Sequence, residues 1–412
     1  MPWNEVDVQE QRMQFVMRAA SGTERLAPLC REFGISRPTG YVWVRRYRQV
    51  RSLRGLCEHS RRPKHSPRET EAWKQERVVA LRRETGWGAK KLHVVLRDEE
   101  GLLLPTRTIH RILQRNELLS PEAHGPAPER FARQEPNELW QMDSKGKYPL
   151  REGACHPLSI VDDHSRFVVG LHALAALKME LAYPCLVETF RSYGVPQALL
   201  MDHGTLWWAT SNGWGLTWLS VRLIEQGIRL MYGRVRHPQT QEKVERFHRT
   251  LGGELRHRGV PQHIAEWQPA LNEIRQVYNE RRPHEALGMQ RPAQHYQASA
   301  RAYQEQPTPW EYPAGSDVRR VNANGAIAEA GRKYFVCEAL AEQLVRVERF
   351  DGKLLVSYRH MYIREIDLQR GTTEAFVVLR QSNAAASAAV ALRAPSADAA
   401  EPKAKERQTP KV

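Results

Sequence analysis

Residues 237–251, HPQTQEKVERFHRTL, constrain the fold of this chain more than any other stretch. Pro238 excludes helix just ahead of it, Thr240 is a suitable N-cap, and Gly252 with Gly253 can end a helix begun there. The spacing therefore predicts a loop leading into a helix. At about 100° per residue, Val244, Phe247 and Leu251 share one face that a core must cover. Glu245 lies at the edge of that face, with Gln241 and His248 to one side and Arg249 to the other. A carboxylate there is half walled by protein and half open to a ligand. Taken by itself it reads as one more solvated helix acid, since surface glutamate is the rule.

Two upstream acids change that reading. The apolar-rich run ELWQMD ends in Asp143, and QALLMDHG carries Asp202 followed closely by Gly204. Both runs predict buried strands that deliver a carboxylate at the strand end. Two acids from strand ends and one from a helix can converge on divalent cations. Mg²⁺ prefers carboxylate oxygen, keeps waters and accepts substrate phosphate, so a sparse acidic site beside phosphate suits it. Two such ions would activate an attacking oxygen and stabilise a leaving one in an in-line phosphoryl displacement.

On these residues the chain resembles the DDE transposases of bacterial insertion sequences that carry an integrase catalytic core. The matching pieces are LWQMD at 139–143, IVDDHSRF at 160–167, MDHG at 201–204, the 237–251 stretch and YNERRPHEALG at 278–288. They stand in the family's order and cover residues 137–297. The resemblance implies an α/β, ribonuclease-H-like core in which Asp143, Asp202 and Glu245 are the catalytic and metal-binding triad. It implies Mg²⁺ as cofactor, two ions, with Mn²⁺ able to substitute. The chain departs from the family at His203, where Asn is common, and at Glu242, where Gly is common. Glu242 rivals Glu245 for the third acid, but lies about 60° further from the apolar face. His203 can still donate a hydrogen bond near the site.

Composition points the same way. A length of 412 residues exceeds one core and implies two to four domains. The net charge is +15 and the pI about 9.8, and more than half of that excess falls before residue 136. A basic N-terminal third fits a polyanion partner, double-stranded DNA. Five cysteines, odd in number and without a Cys-x-x-Cys pair, fit a reducing compartment. Cys30, Cys57, His59 and His65 match no compact zinc-finger spacing. No apolar stretch is long enough to cross a membrane, and MPWNE has no signal-peptide pattern. The expected location is the bacterial cytoplasm, at the nucleoid.

Residues 1–60 carry a helix-turn-helix pattern. Leu26, Leu29, Cys30 and Phe33 form one stripe, Gly34-Ile35-Ser36 supplies the turn, and the next helix presents Tyr41, Val44 and Tyr47 on one side. That leaves Arg37, Thr39, Arg45 and Arg46 for DNA. Residues 67–119 form a second helix-turn-helix candidate, after the basic linker RRPKHSPR. Lys90, Lys91, Arg107, His110 and Arg111 are its candidate phosphate contacts, with subunit contact as the other use of that domain. In the core, Lys243, Arg246 and Arg249 flank Glu245, and Arg281 with Arg282 form a corner facing phosphate.

A Pro-rich linker is expected at 120–136, the catalytic core at 137–297, and another linker at 298–316. Asp162 and Asp163 fall in a tight turn, where acids usually bond their own backbone. Trp207, Trp208, Trp214 and Trp218 crowd the segment after Asp202; packing is the first use for them, and stacking of Trp207, Trp208 or Trp214 on an unpaired base the second. Alternating apolar runs with Asn324-Gly325 and Asp351-Gly352 turns predict a small β-barrel over 317–370, and 371–412 is expected to be a disordered tail. The expected function is a transposase acting as a homo-multimer: it binds element ends, cleaves them with metal help and joins the 3′-hydroxyls to target DNA. The alternatives are a DNA-binding regulator or inactive remnant, and a nuclease on the same fold that does not join ends.

Overall fold

The computed structural model describes residues 8–58, 69–119, 133–202, 204–209, 215–233 and 242–375. Met1–Glu71 form one compact unit and Ala72–Val412 a second. The basic linker, most of the 120–136 segment and the chain from 376 onward lie outside the described residues.

In the first unit, α1 (Val8–Ala20), α2 (Leu26–Glu32) and α3 (Arg37–Val50) close around Phe15, Val16, Leu29, Cys30, Trp43 and Val44. Ser36 caps α3 by accepting from the Thr39 N–H at 3.3 Å, which answers one of the unpaired donors of a helix start. Gly40 lets α3 approach its neighbours: a Cβ there would stand 2.6 Å from Cys30 Sγ and 2.9 Å from the Phe15 ring. This approach corrects the expected apolar face. It turns Gly40, Trp43 and Val44 inward, so Tyr41, one step round the helix, is 63% exposed.

The second unit begins with α4 (Ala72–Thr85), α5 (Ala89–Glu100) and α6 (Thr106–Arg115), packed on Val78, Leu81, Leu92, Val95, Leu96, Ile109, Ile112 and Leu113. The core follows with β1 (Trp140–Ser144), β2 (Tyr148–Pro149), β3 (Ala154–Asp162), β4 (Val168–Leu174), α7 (Met179–Tyr193) and β5 (Ala198–Met201). After it come β6 (Trp208–Ala209), β7 (Gly215–Leu216), α8 (Trp218–Glu225), β8 (Arg229–Tyr232), α9 (Glu242–Arg258) and α10 (Ile264–Gln276). Strands β4, β3 and β1 pair antiparallel, β1, β5 and β8 pair parallel, and β2 extends along the start of β3. This is a mixed α/β core of ribonuclease-H-like order.

Side chains two apart point to the same face of a strand, and here that alternation sorts the layers. Trp140, Met142, Leu158 and Ile160 face α7, where Ala182, Leu186 and Phe190 meet them. Val161, Val168 and Leu171 face the other way, onto Val244, Phe247, Leu251 and Leu255 of α9 and Trp267, Leu271 and Ile274 of α10. Each fully buried side chain of this size contributes roughly 1.5–3 kcal/mol. Gln141 and Asp143 therefore look toward α9. The expected stop at Gly252-Gly253 does not occur: the stripe continues to Leu255, the Lys145 side chain lies over Gly252, and the helix ends just before Gly259, whose φ is +93°.

Residues 298–316 are no free linker. Ser299 N donates to Tyr193 O, Val195 N donates to Arg301 O, and the Arg301 guanidinium donates to the carbonyls of Pro196, Gln226 and Gly227. Beyond them, β9 (Asp317–Arg320), β10 (Ala326–Glu329), β11 (Arg332–Phe335), β12 (Leu344–Phe350), β13 (Lys353–Tyr358), β14 (Met361–Asp367) and β15 (Thr372–Ala375) complete the chain. Five strands form one antiparallel sheet in the order β15-β14-β13-β12-β9, and β10-β11 is a separate hairpin. Side chains link that hairpin to both sheet edges, Arg319 donating to Ala328 O and Thr373 to Phe335 O. β15 extends ordered pairing past 371, into the start of the expected tail. The sheet shares its apolar interior with the core through Leu216, Leu219, Ile224 and Leu230. Among the described residues no helix is long and apolar enough to cross a membrane.

Candidate active site

β1 carries Asp143 at its C-terminal half, Asp202 follows the last residue of β5, and Glu245 sits in the first turn of α9. β1 and β5 are parallel neighbours, so their carboxyl ends open on the same edge. Asp143 is half-buried, while Asp202 and Glu245 are exposed. The Asp143 carboxyl is pushed up to about 7, first by burial and then by the negative charges of Asp202 and Glu245. One hydrogen bond opposes this, from Ser144 N to Asp143 Oδ1 at 2.8 Å. Asp143 thus feels the charges of both other acids across a common edge.

Asp202 is held from one side. Its Oδ1 accepts from Gly204 N and from Trp207 Nε1, both at 2.9 Å. Trp207 is 3% exposed and Trp208 is equally buried against Tyr232, so neither offers a free ring face to a base. For these two, packing is the use the fold makes of them. Trp214 lies outside the described residues, as do His203, Thr240 and Gln241.

His248 faces Asp143 with Nδ1 3.6 Å from Oδ2, longer than a hydrogen bond. Burial, helped by the Lys145 charge, pushes its pKa down to about 3, so it is neutral. Arg246 and Arg249 are exposed on α9 beside Glu245. Lys243 is different: its side chain is only 9% exposed and forms an ion pair with the fully buried Asp163. Of the two turn acids, Asp162 bonds partly within the turn, whereas the Asp163 carboxylate bonds across the fold. Asp162 accepts from Ser165 N and Oγ and from Asn137 N, and Asp163 accepts from Arg133 N and Gln141 Nε2.

At the corner, Arg281 and Arg282 are both engaged by carboxylates of the protein, Arg282 mostly covered and Arg281 partly exposed. Arg281 pairs with Glu84 and Glu99, and Arg282 pairs with Glu254 while lying over the Trp87 ring. Lys90 reaches Glu285 at 3.7 Å, and Lys91 is desolvated in the same seam, its pKa pushed down to about 8. The physical reason is charge matching: α4 and α5 present Glu84, Asp98 and Glu99 to Arg281 and Arg291 of the core. Arg107, His110 and Arg111 of α6 are exposed. In the first unit, Arg37 and Arg45 are exposed, Thr39 is engaged with Ser36, and Arg46 stacks over Trp43.

Sequence reading missed Gln141 and Lys145 as parts of this edge, and it placed His248 and Trp207 there without their contacts to Asp143 and Asp202. Two signals were available: a glutamine inside the apolar run LWQMD, in step with Asp143, and a tryptophan five residues past Asp202. A divalent cation fits the donor chemistry, since it would relieve the repulsion among three acids. As they stand, no three His, Cys, Asp or Glu side chains among the described residues are close enough to enclose one ion.

Known proteins match in three segments. An integrase core domain matches residues 133–238, a second integrase core domain model matches 226–292, and a helix-turn-helix domain matches 11–64. Among solved structures, the HTLV-2 integrase catalytic core domain in complex with magnesium, trimeric form, is 15% identical. That match covers 40% of this chain and 99% of the other, with a TM-score of 0.31. The simian T-cell lymphotropic virus intasome in complex with PP2A regulatory subunit B56 gamma is 14% identical over 69% of this chain and 97% of the other, with a TM-score of 0.35. The chain carries an integrase core domain behind an N-terminal helix-turn-helix domain.

Proposed function

We propose that the protein is a transposase that binds the ends of a mobile DNA element as a homo-multimer, hydrolyses the DNA there and joins the freed 3′-hydroxyls to target DNA. The observation that carries this reading is the placement of Asp143 and Asp202 at the carboxyl ends of the parallel neighbours β1 and β5, with Glu245 in the first turn of α9 and both charges felt at Asp143. Two Mg²⁺ ions bound by these acids, or Mn²⁺ in their place, would activate the attacking oxygen and stabilise the leaving one. The protein's own part is positioning. Trp207 and Gly204 hold Asp202 by one oxygen, and the neutral His248 walls Asp143 on the α9 side. Arg246 and Arg249 lie beside Glu245, where a DNA phosphate would sit. The first unit offers Arg37 and Arg45 to element ends.

Hydrolysis and joining can share one site, because only the nucleophile changes, from water to a DNA hydroxyl. The test incubates purified protein with Mg²⁺, plasmid target and the DNA flanking its gene. Asp143→Asn, Asp202→Asn and Glu245→Gln should each bind ends normally and give neither nicked nor joined products. Nicks without joining in the wild type would favour the nuclease reading. Binding with neither product would favour a regulator or remnant, and cutting by Glu245→Gln would sink the triad.

A further inference from the structure

A helix start leaves N–H groups without intrahelical partners, and something must accept from them. For α9 one acceptor comes from another element: Val244 N donates to Gln141 Oε1 at 3.3 Å. Gln141 is fully buried on β1, two residues before Asp143 and on the same strand face. Its other atom, Nε2, donates to Asp163 Oδ1 at 2.8 Å. Asp163 closes the ring by pairing with Lys243, which also donates to the Asp163 carbonyl at 2.8 Å. The turn itself is fixed to the sheet, Asp163 N donating to Leu139 O at 2.9 Å. Two adjacent residues of α9, Lys243 and Val244, are therefore tied to β1 and its turn. Glu245 is the next residue.

A buried ion pair contributes little to stability against an apolar pair of the same size, and the better-attested use of such pairs is to fix register. We propose that Asp163, with Lys243 and Gln141, is the positioning group that sets Glu245 against Asp143. On this view Asp163 touches neither metal nor DNA. It sets the rotation and height of the first turn of α9, so that the helix acid meets the strand acid. The inference rests on the triad reading of the proposed function.

The test uses the full chain and Mn²⁺ as probe, with Asp163→Asn, Lys243→Met and the double variant. Each single change strands a buried polar group and should lower Tm; the double removes both charges, keeps an amide oxygen at position 163 to accept from Gln141, and should recover Tm. If the pair positions Glu245, the double variant still binds Mn²⁺ about tenfold or more weakly than wild type, the usual loss when a ligand's support is removed. Its cutting rate on saturating DNA falls with it, while its KM for DNA does not. A double variant that recovers both Tm and wild-type Mn²⁺ affinity overturns the proposal, because the pair would then serve stability alone. Glu245→Gln separates the two levels. If it abolishes Mn²⁺ binding and cutting while the double variant is normal, only the positioning role fails. If wild-type Mn²⁺ binding is absent or indifferent to Glu245→Gln, the triad reading fails and takes the proposal with it.

Discussion

The indole N–H of Trp207 donates to Asp202 Oδ1 at 2.9 Å, on the same oxygen that accepts from Gly204 N. Both bonds fall on one oxygen, so Oδ2 is turned away from them. Trp207→Phe keeps a buried ring and removes the donor. A hydrogen bond to a charged group is worth about 1.5–3 kcal/mol, so cutting should fall by roughly ten- to a hundredfold at unchanged end binding. Gly204→Ala should act alike, since its Cβ would stand 2.9 Å from Asp202 Oδ1 and 3.2 Å from Trp207 Nε1. Rates on saturating DNA decide it, and a wild-type rate for Trp207→Phe would remove the orienting role.

Arg282 joins the helical bundle to the core. It pairs with Glu254 at 3.1 Å, Glu254 also accepts from Trp87 Nε1 at 3.2 Å, and both charges are mostly covered. Arg282→Ala removes one charged donor and leaves the buried Glu254 with Arg258, 3.5 Å away, and the Trp87 indole; it should cost about 1–3 kcal/mol of stability, read as a lower denaturant midpoint. If the variant instead keeps its stability but loses DNA affinity, the corner faces phosphate after all.

His172 should make the protein acid-sensitive. It is buried, and its Nε2 lies 2.8 Å from Thr189 Oγ1, whose own hydrogen goes to Cys185 O. Nε2 therefore donates, and burial with the Arg275 charge pushes the pKa down to about 4. A folded pKa below the unfolded one, near 6.5, means the unfolded chain takes up the proton first. Stability is fully present above pH 6.5 and is lost as pH falls from 6.5 toward 4, by about 3 kcal/mol in all. Chemical denaturation across that range should show a shallower pH slope for His172→Gln than for wild type. Equal slopes would mean that His172 already titrates normally.

Tyr41 is the exposed ring near the start of α3, beside Arg37 and Arg45. If α3 enters the major groove by its first turns, Tyr41→Ala should lower preference for element ends by about 1–3 kcal/mol. Arg45→Ala should weaken all DNA binding and reduce the salt slope by about one. Binding titrations at several salt concentrations separate the two. Equal losses of specific and non-specific binding in Tyr41→Ala would make it a backbone contact.

Local pattern was enough to set Asp143 on a strand, Asp202 just after one and Glu245 on a helix, because each element depends on its own neighbourhood: an apolar run ending in Asp143 or Asp202, and the stripe beneath Glu245. The helices around Cys30 and Val44 were legible for the same reason. What local pattern missed depends on partners far along the chain. Gly252 and Gly253 stay helical because Leu255 has a core to enter, and residues 298–316 lie flat because Arg301 finds three carbonyls.

Charge depends most on the fold. Lys243, Arg281 and Arg282 read as phosphate contacts from their type, and the fold sets Asp163 against Lys243 and Glu254 against Arg282 under cover, and Glu84 and Glu99 against a partly exposed Arg281. Residue type sets which charge a side chain carries, and sequence periodicity sets which face it leaves by. Only the packing of α9 on β1, and of α4 and α5 on the core, decides which carboxylate or solvent that charge finds, because Coulomb attraction and desolvation act through space and not along the chain.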